Sequence, residues 1–180
     1  MIIGIVGSIA SGKDTVLDYL RGKGFRAVSL SDVLRGIMRS EGEEIDIPNM
    51  TRYGNNLRNE KGHGYLTQKA LEEIGDSDAV ITSIRQVGEI EVLRQRSDFV
   101  LVKLDAPIEM RLDRIIKRGR EGDIKNMEEL REIEAKQADG KEGAMNMNRC
   151  YELADIELIN DGTIEELYAK VDKLIAEIKN

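Results

Sequence analysis

Cysteine and long apolar runs are scarce in this sequence, and each scarcity excludes a class of protein. Cys150 is the only cysteine among 180 residues, so an internal disulfide is excluded and a cytoplasmic location is expected. No stretch approaches the roughly 20 apolar residues that cross a bilayer. The opening MIIGIV is too short for a signal peptide and lacks its basic flank. We therefore expect no membrane partner.

Positive charge and histidine are also limited. The net charge of −7 argues against a nucleic-acid partner, although it leaves room for a local basic pocket. His63 is the only histidine and has no cysteine near it in the sequence, so we expect no zinc-type site around it. The length fits one compact domain, and both a monomer and a homodimer remain open.

Short apolar runs alternate with longer amphipathic segments along the chain. The runs rich in Ile and Val predict strands at 2–6, 25–30, 79–84, 98–104 and 154–159. Such alternation predicts an α/β protein whose parallel sheet is covered by helices on both faces. The connections 31–78 and 105–153 are too long for simple crossovers, so we expect them to carry function at the carboxyl edge of the sheet.

Local signals predict where several helices begin and end. Ser31 or Asp32 is expected to cap the helix after the second strand, and the DIPN stretch to interrupt the helical segment that follows. A helix is expected over 89–96, and Thr163 with Glu166 predicts a capping box before the last helix.

The stretch GSIASGKDT at 7–15 follows the first predicted strand and precedes a helix. Gly7, four residues, Gly12 and Lys13 match a phosphate-binding loop up to its last position. Glycines let several backbone N–H groups converge on phosphate oxygens, and the lysine brings a full positive charge. We expect this loop to bind ATP through Gly7, Ser8, Ala10, Ser11, Gly12, Lys13, Asp14 and Thr15.

Asp14 stands where the motif has Ser or Thr. That hydroxyl usually contacts Mg²⁺, and Thr15 points about 100° away round the helix. The Gly-Lys-Asp sequence resembles the loop of phosphomevalonate kinases and of viral deoxynucleoside monophosphate kinases. Asp14 is therefore interpreted as the feature of a particular branch of phosphate-loop proteins, and not as the sign of an inactive loop.

Longer stretches resemble the nucleoside monophosphate kinase group over nearly the whole chain. Four segments carry the resemblance: LSDVLR (30–35), ITSIRQVGEIEVL (81–93), VKLDAPIEMRLDRIIKRGR (102–120) and INDGT (159–163). The whole chain is most similar to small kinase-like proteins related to adenylate kinase and dephospho-coenzyme A kinase, and to a domain preceding some deoxycytidylate deaminases.

The resemblance implies an architecture and a set of roles. It implies the three-layer P-loop NTPase fold, with a five-stranded parallel sheet in the order 2-3-1-4-5. It also implies a single domain over 1–180, with an acceptor-binding insertion at about 31–77 and a lid region at about 117–145. The implied roles are acceptor binding by Asp32, Arg35 and Arg85, contact with the transferring phosphoryl group by Lys13, Arg118 and Arg120, and contact with the donor nucleotide by Asn160 and Gly162.

The expected magnesium site departs from most phosphate-loop enzymes at a second position. Their third strand ends in an aspartate, where this chain has Ser83. We interpret Asp14 and Ser83 as metal ligands that have exchanged carboxylate and hydroxyl across the ion. The alternative is a weakened magnesium site.

Several interpretations remain open. A phosphate acceptor needs arginines, whereas a hydroxyl acceptor, as in dephospho-coenzyme A, benefits from Asp32 as a general base. The arginines after two strands favour a small phosphorylated acceptor, above all a nucleoside or deoxynucleoside monophosphate. A regulatory nucleotide switch is the third reading. Arg111 and Arg114 belong either to the site or to a solvated helix face, and Arg58 belongs either to the acceptor site or to a helix surface.

Overall fold

The sheet has the strand order that the family resemblance implies. The structure is a computed structural model, and it describes residues 1–119, 124–138 and 145–179. Within these ranges all strand pairs are parallel, in the order β2-β3-β1-β4-β5, which confirms the expected order. The strands are Ile2–Gly7 (β1), Arg26–Ser29 (β2), Ala79–Thr82 (β3), Phe99–Asp105 (β4) and Ile156–Ile159 (β5).

Helices follow every strand and cover both faces of the sheet. In the described residues, each of them is too short or too polar to cross a bilayer. They are Lys13–Gly22 (α1), Leu30–Ser40 (α2), Ile47–Lys61 (α3), Tyr65–Ile74 (α4), Val87–Leu93 (α5), Ile108–Arg118 (α6), Met127–Ala138 (α7), Met147–Glu152 (α8) and Ile164–Lys179 (α9).

Three helix starts can be compared with the sequence-based expectations. The capping box of α9 is confirmed, since the Thr163 hydroxyl accepts the Glu166 N–H at 3.2 Å and the Glu166 carboxylate accepts the Thr163 N–H at 2.8 Å. The expected cap of α2 is wrong, because the helix already begins at Leu30. The DIPN stretch starts α3 instead of interrupting a helix, because the Asp46 carboxylate accepts the Asn49 N–H at 2.7 Å.

Two apolar clusters sandwich the sheet, one on each face. Alternate residues of β1 divide between them: Ile2 and Val6 join the cluster with α2, α4 and α5, while Ile3 and Ile5 join the cluster with α1 and α9. This alternation follows from the two-residue period of a strand. Because β1 is the central strand, its carboxyl end at Gly7 lies in the middle of the sheet edge.

Gly7 packs so closely against β4 that a side chain has no room. A Cβ built on it would lie 2.0 Å from the Leu104 carbonyl oxygen, whereas Gly36 in α2 has open space around the equivalent position. We predict that Gly7→Ala lowers the free energy of unfolding by at least about 2 kcal/mol. Gly36→Ala should raise it by about 0.5–1 kcal/mol, through helix propensity. Urea unfolding of both variants checks this, and equal stability of Gly7→Ala and wild type would contradict it.

Candidate active site

The loop between β1 and α1 is curled by two residues with positive φ. Ala10 has φ 58°, and Gly12, the residue before α1, has φ 106°. No side chain caps the first turn of α1, so its leading N–H groups point into the loop without a capping partner. A loop of this shape at a helix N-terminus is a concave site for an anion.

Lys13 folds back across this loop. Its ammonium group donates to the carbonyl oxygens of Gly7 at 2.9 Å and Ser8 at 2.7 Å. Burial lowers the pKa of Lys13 to about 8, while the nearby negative charge of Asp14 raises it. The positive charge therefore sits at the centre of the loop in a poorly hydrated position.

Donors from other elements bind the outer side of the loop. The Arg111 guanidinium donates to the Ile9 carbonyl at 3.2 Å, and Arg114 donates to the Ala10 carbonyl at 3.3 Å. The buried amide of Asn160 donates to the Ser11 carbonyl at 2.8 Å. Because the two polar groups of a peptide unit point in opposite directions, carbonyls held outward leave N–H groups facing inward.

Arg111 and Arg114 thus hold the loop in its shape, a role that their spacing in the sequence did not decide. Arg111 is buried and pairs with Glu134 of α7, whereas Asp113 pairs with Lys117. The solvated-face alternative is therefore wrong for Arg111. Asn160 lies beside the loop, and Arg114 also donates to its backbone carbonyl at 3.1 Å. Its expected contact with the donor nucleotide stays a prediction.

A cavity of about 100 Å³ opens beside the loop at the carboxyl edge of the sheet. Lys13, Ser83 and Arg85 contribute its polar wall, and none of its described lining residues is acidic. We call it the phosphate cavity. Two cations that face a space without a carboxylate can bind a small anion.

The turn after β3 brings Ser83 and Arg85 to this cavity. Ser83 takes a left-handed conformation with φ 62°, and its hydroxyl lies 3.0 Å from the Ser29 hydroxyl at the end of β2. Burial lowers the pKa of Arg85; Glu89 raises it, and the nearby cations Arg58 and Arg35 lower it further. No described carboxylate forms an ion pair with the Arg85 guanidinium.

The remaining sequence candidates lie outside the cavity wall. Asp32 and Arg35 form an ion pair at 2.6 Å on the surface of α2. Arg118 is exposed at the end of α6, and Arg120 lies outside the described residues. Gly162 lies in the turn before α9.

The expected metal ligands come from two different elements of the fold. Asp14 is on the exposed side of the first turn of α1, whereas Ser83 lines the phosphate cavity. The described residues contain no group of three or more His, Cys, Asp or Glu side chains that could hold a metal ion. The exchange of roles between Asp14 and Ser83 stays a prediction.

Comparison with known proteins assigns the family. The chain is 32% identical to a UPF0200 protein of Sulfurisphaera tokodaii over 178 residues, which cover 98% of this chain and 97% of that protein. It is also 32% identical to a UPF0200 protein of Methanothrix thermoacetophila over 179 residues, with the same coverage. The chain belongs to the UPF0200 family. No family model matches it.

Solved structures similar to this UPF0200 protein include small kinases with the P-loop fold. Shikimate kinase from Acinetobacter baumannii, in complex with shikimate, superposes with a TM-score of 0.58 at 20% identity and covers 98% of this chain and 93% of its own. Dephospho-CoA kinase from Campylobacter jejuni gives 0.55 at 18% identity, with coverages of 98% and 96%. At such identities the likeness establishes the P-loop kinase fold and nothing finer.

Sequence reasoning missed one buried carboxylate of this UPF0200 protein. Glu89 is 0% exposed, and it accepts the backbone N–H groups of Arg85 at 2.7 Å and Gln86 at 3.1 Å. Arg58 reaches it from α3 at 3.3 Å, so Arg58 is not on a helix surface. Glu89 forms a capping box with Gln86, which is why α5 begins at Val87, earlier than the expected helix over 89–96. The spacing of Gln86 and Glu89 was the signal for it.

We predict that the Arg58–Glu89 pair stabilises the segment that carries Arg85. Burial raises the pKa of Glu89, and Arg58 with the two backbone N–H groups lowers it. Removing Arg58 leaves a buried carboxylate short of its charge partner, so Arg58→Met should lower the free energy of unfolding by about 3 kcal/mol.

The matched control is Arg21→Met, which breaks the exposed Asp18–Arg21 pair and should leave stability unchanged within error. Urea unfolding measures both variants. Equal stability of Arg58→Met and Arg21→Met would show that the buried pair contributes nothing.

Proposed function

We propose that this UPF0200 protein transfers a phosphoryl group from ATP to a small phosphorylated acceptor, a nucleoside or deoxynucleoside monophosphate. One observation carries the proposal: the half-buried Arg85 shares a cavity with Lys13, and none of the described residues that line this cavity is acidic. A partly desolvated guanidinium group without a carboxylate partner is costly. A bound phosphate group would supply the missing negative charge.

The loop residues Gly7 to Thr15 bind the donor phosphates in this proposal. Lys13 turns from the Gly7 and Ser8 carbonyls towards the transferring group, and Arg118 and Arg120 approach from the lid region at about 117–145. The insertion at about 31–77 contributes to acceptor binding. Closure of both segments excludes water, which prevents hydrolysis of ATP.

Mg²⁺ fits the donors that this chain offers. The ion binds proteins through one or two carboxylates and completes its shell with substrate phosphates and water, and Asp14 and Ser83 supply one carboxylate and one hydroxyl near the loop. Bound there, it would neutralise the charge on the phosphates. Asp14 carries the carboxylate role in this proposal, and Ser83 orients a water molecule.

A phosphate acceptor fits the geometry better than a hydroxyl acceptor. A hydroxyl acceptor needs a general base, and Asp32, the candidate base, is largely exposed and paired with Arg35 at 2.6 Å. The structurally similar dephospho-CoA kinase keeps the hydroxyl acceptor as the second candidate. In the favoured reading Arg35 and Asp32 act at the rim of the acceptor site, and Arg85 holds the phosphate.

Product formation from ATP and Mg²⁺ with single acceptors tests the proposal. The panel holds ribo- and deoxyribonucleoside monophosphates, dephospho-coenzyme A, shikimate and a control without acceptor. Turnover with one monophosphate is the expected result. Turnover with dephospho-coenzyme A or shikimate alone would overturn the acceptor class, and tight ATP binding without acceptor-dependent turnover would support a regulatory switch instead.

Arg85→Met should weaken acceptor use more than donor binding. We expect kcat/KM for the acceptor to fall at least about 100-fold, because a charge-assisted contact with a phosphate is lost, while the Kd for ATP changes less than about threefold. Arg39→Met, on the exposed end of α2, is the matched control and should match wild type. Equal losses in acceptor use and ATP binding would contradict the assignment.

The lowered pKa of Lys13 predicts a pH dependence of nucleotide binding. With a pKa of about 8 in the free protein, the ammonium loses its proton as pH rises through 8. A nucleotide that requires the charged form should therefore bind about tenfold more weakly at pH 9 than at pH 7. Titration calorimetry with ADP measures this, and Lys13→Arg, which stays charged, should give a flat profile. A flat wild-type profile would refute the prediction.

A further inference from the structure

A second cavity lies beside the phosphate cavity, with a volume of about 260 Å³. It is bounded by α7, by α8 and by Ser8 of the loop, and we call it the α7–α8 pocket. Gln137 and Met147 line both cavities. A molecule whose phosphate is held by Arg85 can therefore extend past Gln137 and Met147 into the α7–α8 pocket.

The lining of the α7–α8 pocket suits an uncharged, planar, polar group. Glu134, the one acidic residue among its described lining residues, is already paired with Arg111. Gln137 and Asn148 bring side-chain amides, each of which carries both hydrogen-bond donors and an acceptor. Amides of this kind pair with the edges of heterocyclic bases.

An aromatic ring completes the wall of the pocket. Tyr151 of α8 is half-buried; burial raises its pKa, while a side-chain hydrogen bond with Ser8 lowers it. The face of an aromatic ring can stack on any of the nucleobases. The volume is below the roughly 300–1,000 Å³ of sites for drug-sized ligands, so it fits one small ring system.

The position of the pocket distinguishes the acceptor from the donor. Asn160 and Arg114, on the side where the donor base is expected, bind the Ala10 and Ser11 end of the loop. The α7–α8 pocket touches the loop at Ser8, directly after β1. Its occupant therefore belongs to the molecule on the other side of the transferring phosphoryl group.

We propose that the α7–α8 pocket binds the nucleobase of the acceptor and determines which monophosphate is used. This inference rests on the proposed function, and it adds the site that gives base selectivity. Gln137 reads the edge of the base, Tyr151 stacks on its face, and Arg85 holds the phosphate of the same molecule.

The test separates base recognition from phosphate binding. Titration calorimetry of the full chain measures AMP, GMP, CMP, UMP and inorganic phosphate. In wild type, one monophosphate should bind at least about tenfold tighter than the others and than inorganic phosphate. Gln137→Leu should reduce this preference to within about threefold and leave the Kd for inorganic phosphate unchanged. Gln68→Leu, on the exposed face of α4, is the matched control and should keep the full preference.

Tyr151→Leu provides an independent variant, which should weaken all four monophosphates and spare inorganic phosphate. Equal binding of the four monophosphates to wild type, or a preference that survives Gln137→Leu, would overturn the inference. Selective binding lost in Gln137→Leu without any turnover would support the pocket and refute the proposed kinase activity. Turnover whose base selectivity is unchanged in both pocket variants would support the proposed kinase activity and refute the role of the pocket.

Discussion

The outward hydrogen bonds of the loop after β1 are the constraint on which the rest of the site depends. Ile9, Ala10 and Ser11 have their carbonyl groups bound by Arg111, Arg114 and Asn160. These donors come from α6 and from the end of β5, so both elements must dock before the loop takes its shape. The positive φ of Ala10 is a local strain that such contacts can sustain. The loop carbonyls that accept hydrogen bonds from Lys13 are then held in position.

Positive and negative side chains are not matched one to one around Arg85. Glu89 compensates Arg58 directly and fixes the backbone of Arg85, but it does not pair with the Arg85 guanidinium. One buried carboxylate therefore lies close to two half-buried guanidinium groups. This explains how a chain with a net charge of −7 can still present a positive cavity, because the cavity is positive through local burial and not through overall composition.

Local patterns predicted the framework of this protein, and contacts between distant segments decided the remainder. Apolar runs located the strands, and the Gly7–Lys13 spacing located the loop, because both signals are carried by neighbouring residues. Arg111 could not be assigned in that way, since its partner Glu134 lies 23 positions away on another helix.

Arg85 and Asp14 also show what sequence spacing can and cannot predict. Arg85 follows a buried strand, and the parallel sheet necessarily carries it to the edge where Lys13 lies. Asp14 follows Lys13 in sequence, yet the 100° step of a helix turns its side chain towards solvent. Spacing along the chain thus placed the strand ends correctly, whereas it could not fix which helical side chains reach the cavity.

The central position of β1 has a consequence for how the chain folds as it is synthesised. The first strand pairs with β3 and β4, and Asn160 bonds to Ser11 across 149 positions of sequence. The loop after β1 is therefore synthesised well before the residue that completes its contacts. Such long-range closure is slow compared with local contacts. A chain that ends before Asn160 would therefore carry the whole Gly7–Lys13 motif without one of the contacts that shape it.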